Sequence, residues 1–197
     1  MRRYVFNEGS FSSYKVSTLN ESREPILRHD AFSNDSRITV FISHKHSDLE
    51  ELKGIIGFLE KEYGVKCYID SRDPSMPGIT SGETASKIKE RIKSCKKFIL
   101  LATEDAIESK WCNWELGFGD ANKFKDHIAL FPIKKADISE NAYKGNEYMQ
   151  IYPYITYFGQ GEKYGDGKTI TPGYYIREIK PDGKGGYLTP LRKWFES

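Results

Sequence analysis

The chain is poor in the compositions that would settle its class at a glance. Only three of its 197 residues are cysteine, Cys67, Cys95 and Cys112, an odd number inside apolar segments with no Cys-x-x-Cys spacing. That argues against a disulfide framework or a cysteine zinc site and reads as reduced thiols in a core. Long hydrophobic runs are missing too: the longest are about five residues, far short of the ~20 that span a bilayer. The opening Met1-Arg2-Arg3-Tyr4 leads into polar sequence rather than a signal-peptide core. A cytoplasmic chain with no membrane partner is expected. No sign of charge dominates, since 30 Lys and Arg face 28 Asp and Glu for a formal net charge of +2. The signs interleave, so there is no electrostatic footprint for nucleic acid. His44 and His46 lack the third and fourth ligands a metal centre needs, so they read as polar loop residues and no metal is expected.

What is there suffices for one core: 38% apolar and 14% aromatic content over 197 residues supports a single domain with an extension. Residues 37–134 alternate strand and helix signals. The β-branched run 37–42 is followed by Ser47-x-x-Glu50, a capping box that predicts a helix start. Leu49, Leu52, Ile55, Ile56, Leu59 and Tyr63 then fall at helical spacing, and Gly64 supplies a stop before a strand over 65–69. Gly54 and Gly57 weaken that helix without cancelling its stripe. Residues 70–78, rich in Asp, Ser, Pro and Gly, form a long loop. Thr80-x-x-Glu83 is a second capping box, opening a helix with Ala85, Ile88, Ile92 and Cys95 inward, ahead of a buried strand over 98–102 and a further strand over 128–133. Short apolar strands joined through helices pair in parallel, which makes the class α/β.

Ligands of open parallel sheets gather outside the carboxyl ends of the strands. Those ends are here residues 43–46, 70–78 and 103–111. At the last of them lies Ser109-Lys110-Trp111-Cys112-Asn113-Trp114-Glu115-Leu116-Gly117-Phe118. A serine N-cap, with Trp111 and Glu115 at i and i+4, predicts a helix carrying an indole and a carboxylate on one face. Such an arrangement suits a cationic, ring-bearing substrate. On these ten residues alone the ordinary reading is preferred: Trp111 and Trp114 as core anchors and Glu115 as a solvated or salt-bridged acid.

Four pieces in order change that weighting. Phe41-Ile42-Ser43-His44 after the first strand, Ile69-Asp70 before a Pro/Gly loop, Phe98-Ile99-Leu100-Leu101-Ala102, and Ser109-x-Trp111-Cys112-x-x-Glu115-Leu116 together resemble a bacterial TIR (Toll/interleukin receptor) domain of the NAD-cleaving, antiphage-defence (Thoeris-like) type. The resemblance is close over residues 37–134. It implies a flavodoxin-like open parallel five-stranded sheet flanked by helices, and a loop over about 70–82 corresponding to the family's BB loop. It also implies that Glu115 is the catalytic group, offsetting charge at the ribosyl carbon or attacking it, while Trp111 stacks on the nicotinamide or shapes the pocket wall. Ser43 and His44 fall in the family's segment near the nucleotide. Lys45 is a candidate for neutralising the pyrophosphate, and Asp70 and Arg72 for ribose and phosphate contacts, with loop capping the other reading of that pair.

The function implied is an NAD glycohydrolase or ADP-ribosyl cyclase, with NAD as substrate and no cofactor. The implied partners are further copies of the chain, through TIR surfaces, and a separate effector protein that senses the product. A non-catalytic TIR interaction module remains the alternative, one that would not need the glutamate after the tryptophan. Nucleoside deoxyribosyltransferase chemistry on a related scaffold fits the loops less well.

The flanks carry less. Residues 143–187 hold nine of the 13 tyrosines, explained mostly by strand propensity: a fifth strand over 154–158, then a small β excursion over 174–188. Thr189-Pro190 predicts a final helix with proline in its first turn. Residues 1–36 bear no family signature and are set aside as an extension of unknown role, leaving 37–197 as the domain.

Overall fold

The computed structural model describes residues 4–16, 37–70, 81–123, 125–183 and 185–197. Five parallel strands form its centre: β2 (Thr39–Ser43), β3 (Lys66–Tyr68), β4 (Lys97–Ala102), β5 (Ile128–Lys134) and β6 (Tyr154–Phe158). They lie in the order β3-β2-β4-β5-β6. With the small N-terminal strand set aside this is the doubly wound order of flavodoxin-like folds.

The sheet is larger than the five strands expected. Among the described residues it has eight, because β7 (Gly173–Ile179) and β8 (Gly186–Pro190) continue it antiparallel beyond β6 and β1 (Phe6–Asn7) pairs in parallel with β5. The C-terminal excursion is thus part of the main sheet. It pairs there because β6 would otherwise be an open edge, and Ile176 reaches back into the main core.

Strand alternation divides the core into two layers. On one face Val40, Ile42, Ile99, Leu101, Phe131 and Ile133 pack beneath helix α1 (Leu49–Tyr63) and helix α6 (Leu191–Glu196). On the other, Phe41, Phe98, Leu100 and Leu130 pack beneath α2 (Gly82–Ser94), α3 (Glu104–Glu108), α4 (Lys110–Asn122) and α5 (Asn146–Ile151). Helices α3 and α5 are absent from the periodicity because each is about a turn and a half long; Thr103 caps α3, its hydroxyl accepting from the Ala106 N–H at 3.0 Å.

The segment ahead of residue 37 contributes to the α1 layer. Phe6 and Phe11 are buried in the α1 layer, with ring centroids 5.3 Å apart and Phe11 4.8 Å from Phe58. Residues 4–16 therefore belong to the same core as the strands that follow. The two glycines of α1 explain how: a Cβ at Gly54 would meet Phe11 O at 2.6 Å, and one at Gly57 would meet Tyr14 O at 1.9 Å. The helix is stripped of side chains where the arm's backbone crosses it.

Three helix starts differ from expectation. Ser47 and Glu50 form no capping box. A 3-10 turn, His46–Asp48, precedes α1, the Ser47 hydroxyl lies 3.3 Å from Asp48 Oδ1 and 3.2 Å from Asp105 Oδ2, and Glu50 binds Lys15 and Lys53. The box on α2 is formed by Ser81 and Thr84, one residue later than expected; Thr80 lies outside the described residues, and Glu83 pairs with Lys87. Helix α6 begins at Leu191, because Pro190 still pairs in β8.

Candidate active site

The pleat that puts Val40 and Ile42 into the α1 layer turns Phe41 and Ser43 toward the layer of α2 and α4. Ser43 ends β2 at the carboxyl rim and is buried. Facing it is α4, whose N-cap Ser109 accepts from the Cys112 N–H at 3.3 Å, as its position in the sequence predicts. One side of α4 buries Cys112, Glu115, Leu116 and Gly119; the last has no Cβ because Phe98 would lie 3.3 Å from it. That seating brings Glu115 against β2, and Ser43 Oγ donates to Glu115 Oε2 at 2.5 Å.

Glu115 is 2% exposed. Its described partners are uncharged: the Ser43 hydroxyl and the Trp111 side chain. Burial is the largest influence and raises its pKa to about 8, the nearby Asp70 carboxylate pushes the same way, and the bonds from Ser43 and Trp111 oppose both. The rim therefore holds a carboxyl group whose pKa is raised to about 8, against 4.5 for an unperturbed glutamate. A group tuned in this way at the carboxyl rim of a parallel sheet is what acid–base or charge-stabilising chemistry requires.

Trp111 is half-buried one turn before Glu115, its ring 4.9 Å from that of Trp114. Trp114 continues to Phe118 at 6.2 Å, with Lys89 5.7 Å over its ring. The indole thus joins an aromatic strip along α4.

His44 is buried beside Ser43; its Nδ1 lies 3.3 Å from Ile42 O, as a donor, and 3.8 Å from Asp70 Oδ1. Burial lowers its pKa more than Asp70 raises it, so the imidazole is neutral at pH 7 and its contact with Asp70 is a loose polar one rather than an ion pair. Asp70 itself is half-buried, two residues past β3. Lys45 is exposed on the same rim. Arg72 lies outside the described residues, as does most of the loop assigned to 70–82. The structure thus gathers Ser43, His44, Asp70, Trp111 and Glu115.

Two features escaped the sequence. Ser43 falls in the segment near the nucleotide, and to that the structure adds its hydroxyl bond to Glu115, for which the period-two position beside Phe41 is the available signal. Asp48, next along the rim, accepts from Thr103 Oγ1 at 2.5 Å, and burial raises its pKa. No local pattern announces that bond, which joins residues 55 apart.

A family model described as TIR domain matches residues 40–166. Over 147 residues the chain is 33% identical to a Bacillus cereus (strain MSX-D12) protein named probable 3' cyclic ADP-D-ribose synthase ThsB', covering 73% of this chain and 74% of that one. It is 27% identical over 127 residues to a Cytobacillus dafuensis protein named putative cyclic ADP-D-ribose synthase TIR2. That match covers 58% of this chain, which spans only 33% of the relative's length.

Proposed function

The chain belongs to the TIR domain family, and from that premise we propose that it cleaves NAD at the nicotinamide glycosidic bond and closes the ADP-ribosyl product into a cyclic isomer serving as a signal in bacterial antiphage defence. The observation that carries this reading is Glu115, a carboxyl group buried without a described cationic partner and bonded by Ser43 at the ligand-binding rim. A scaffold has no use for an acid held at such cost. Both relatives are named as cyclic ADP-D-ribose synthases, which supports the cyclic product.

The chemistry follows from the charges. The pyridinium nitrogen of NAD is already cationic, so when its bond to the ribosyl carbon breaks, the electron pair moves to nitrogen and nicotinamide leaves neutral. Positive charge passes to the ribosyl carbon, as in glycoside hydrolysis. An ionised Glu115 offsets that charge in a water-poor setting where the interaction is strong. Trp111 offers its indole face to the ring while the ring is still cationic. An internal nucleophile of the same molecule then captures the carbon and gives the cyclic isomer; water gives linear ADP-ribose, the glycohydrolase outcome. A capturing hydroxyl passes its proton to solvent or to the carboxylate.

In this reading Ser43 holds the carboxylate, His44 and Asp70 border the ribose, and Lys45 serves the phosphates, a role for which Arg72, outside the described residues, is also a candidate. The product acts on a separate effector protein. Copies of the chain associate through TIR surfaces, which the formal charge of +2 does not oppose. Purified protein given NAD releases nicotinamide with a product at the mass of cyclic ADP-ribose, and specific activity rises with enzyme concentration. Intact NAD after prolonged incubation at high protein concentration defeats the reading.

A further inference from the structure

The face of the sheet opposite the Ser43–Glu115 pair carries a concave feature that the mechanism leaves unused. A cavity of about 450 Å³ opens between the end of α1, the start of β7 and the junction of β8 with α6. Its size suits a small molecule. Tyr63, Pro172, Tyr174 and Pro190 give it flat apolar walls, while Thr171 and Arg192 add polar groups. The two tyrosines belong to the α1 layer and are fixed there. Tyr63 packs against Phe58 and Phe195, with ring centroids 5.5 and 5.3 Å away, and Tyr174 lies 4.7 Å from Phe58. The walls are thus formed before any ligand arrives.

Arg192 is held as firmly. Helix α6 buries Leu191, Trp194 and Phe195, which leaves Arg192 exposed at the cavity. Its Nη2 donates to the Glu62 carbonyl oxygen at 2.6 Å, and its guanidinium lies 5.4 Å over the Tyr63 ring. Neither contact neutralises the cation. A guanidinium has five N–H donors in a planar fork, and most of them remain for an anion. Glu62 is the one acid among the described lining residues, and it meets Arg192 through its backbone rather than as an ion pair. The Tyr63 hydroxyl adds a donor, since burial raises its pKa above the ordinary value and keeps it protonated.

We propose that this cavity is a binding site, separate from the NAD site, for a small molecule that joins a flat ring to a carboxylate or phosphate. The ring packs against the Tyr63 and Tyr174 rings and the prolines, and the anion takes the remaining donors of Arg192. The combination selects the ligand. The walls alone accept any flat apolar group, and an exposed arginine alone holds an anion weakly in water. The exposed Glu62 carboxylate also works against a bare anion, so the ring contacts must contribute. A ring seated on rigid walls brings its anion to a guanidinium already in place, and little further ordering is needed for the second contact. Because the lining residues lie across the sheet from Glu115, the inference does not rest on the NAD reading.

Two probes carry both features, adenosine monophosphate with a phosphate and indole acetate with a carboxylate, whereas adenosine and inorganic phosphate carry one each. Each is titrated into the full chain labelled with 15N and followed by NMR at the backbone amides of Thr171, Gly173, Tyr174, Leu191 and Arg192. At least one of the two-feature probes is expected to shift these amides with a Kd of about 1 mM or tighter, and the one that does so identifies the anion. Adenosine and phosphate are expected to bind about tenfold more weakly or less, since each forgoes one contact. Arg192→Gln removes the charge and weakens the probe about tenfold, while Tyr63→Phe, which keeps the ring, weakens it less. Should Arg192→Gln fail to fold, Arg192→Lys keeps the charge without the fork, and its binding is expected to fall several-fold. Unmoved amides at about 10 mM probe overturn the proposal. So do shifts confined to the rim around Ser43 and Trp111, which would place the probe in the NAD site, a wild-type Kd in the Arg192 variant, and equal binding by adenosine or phosphate alone. The readout is binding, so a protein that releases no nicotinamide would count against the proposed function and leave this site to be decided by the titration.

Discussion

Ser43 and Glu115 are 72 residues apart in the chain and 2.5 Å apart in the fold. One comes from the last position of a central strand, the other from the buried side of α4, and the parallel sheet brings them together at its carboxyl rim. The pair turns an otherwise unfavourable burial into a usable one. The hydroxyl recovers part of the hydration that the carboxylate lost, but not all, which is why the group titrates near neutrality.

Replacing Glu115 by Gln keeps the size of the side chain and deletes its charge. Nicotinamide release is expected to fall by on the order of 10² to 10³, the usual loss for a stabiliser of transition-state charge. The circular dichroism spectrum is expected to stay unchanged. Wild-type rates in Glu115→Gln would remove Glu115 from the chemistry.

The same substitution has a stability signature with a definite sign. Because the pKa of Glu115 is raised from 4.5 to about 8 on folding, the folded state binds the proton more tightly than the unfolded chain. The group's stabilising contribution is complete below pH 4.5 and is lost as pH rises to about 8. Gln resembles the protonated acid and does not titrate. Glu115→Gln therefore melts near wild type at pH 4.5 and gains on it up to about pH 8, by up to a few kcal/mol. A melting difference that is flat with pH would mean that the carboxyl is not perturbed.

Activity follows the opposite course. The reaction uses the ionised form, so kcat/KM rises with pH toward a midpoint near 8 set by the free enzyme. The cationic ring of bound NAD favours the carboxylate, so the midpoint in kcat lies lower. Ser43→Ala deletes the bond that favours ionisation. Bonds to charged groups are worth about 1.5–3 kcal/mol, so the kcat/KM midpoint is expected to rise by roughly one to two pH units. Rate measurements from pH 6 to pH 10 separate the variants, and superimposable profiles would mean that Ser43 does not govern the charge.

The parts of this arrangement that local chemistry dictates were legible in the sequence. The apolar strands, the stripe of α1, the Ser109 cap and the Trp111/Glu115 spacing all follow from residues near one another, and each appears where expected within a residue or two. The partnership of Ser43 with Glu115 required knowing which strand lies under α4. Capping boxes misled at Ser47 because a tertiary partner, Asp105, lies within reach of its hydroxyl. The short α3 and α5 are held by contacts rather than by an amphipathic period, for example Tyr148 Oη donating to Asn113 Oδ1 at 2.8 Å, and carried no readable stripe. The N-terminal arm was invisible for a similar reason. Its signal, two glycines on one side of α1, reads in isolation as weakness in a helix.

Those glycines give the last prediction. A methyl at residue 57 would lie 1.9 Å from Tyr14 O, so Gly57→Ala must push the arm off α1 or bend the helix. The arm also supplies Phe11, buried against Phe58 and Phe131. In the wild-type background Gly57→Ala is therefore expected to destabilise by about 1–3 kcal/mol, as overpacking does, and Phe11→Ala by about 3–5 kcal/mol, as loss of a core aromatic does. Once Phe11→Ala has loosened the arm, the clash has little left to act on and the intrinsic preference for alanine in a helix emerges, worth about 1 kcal/mol. Gly57→Ala should then be neutral or stabilising, so its sign reverses between the two backgrounds. Denaturant melts of the four proteins measure the coupling between residues 11 and 57. Additive effects would show that Gly57 is small for a reason other than the arm crossing it.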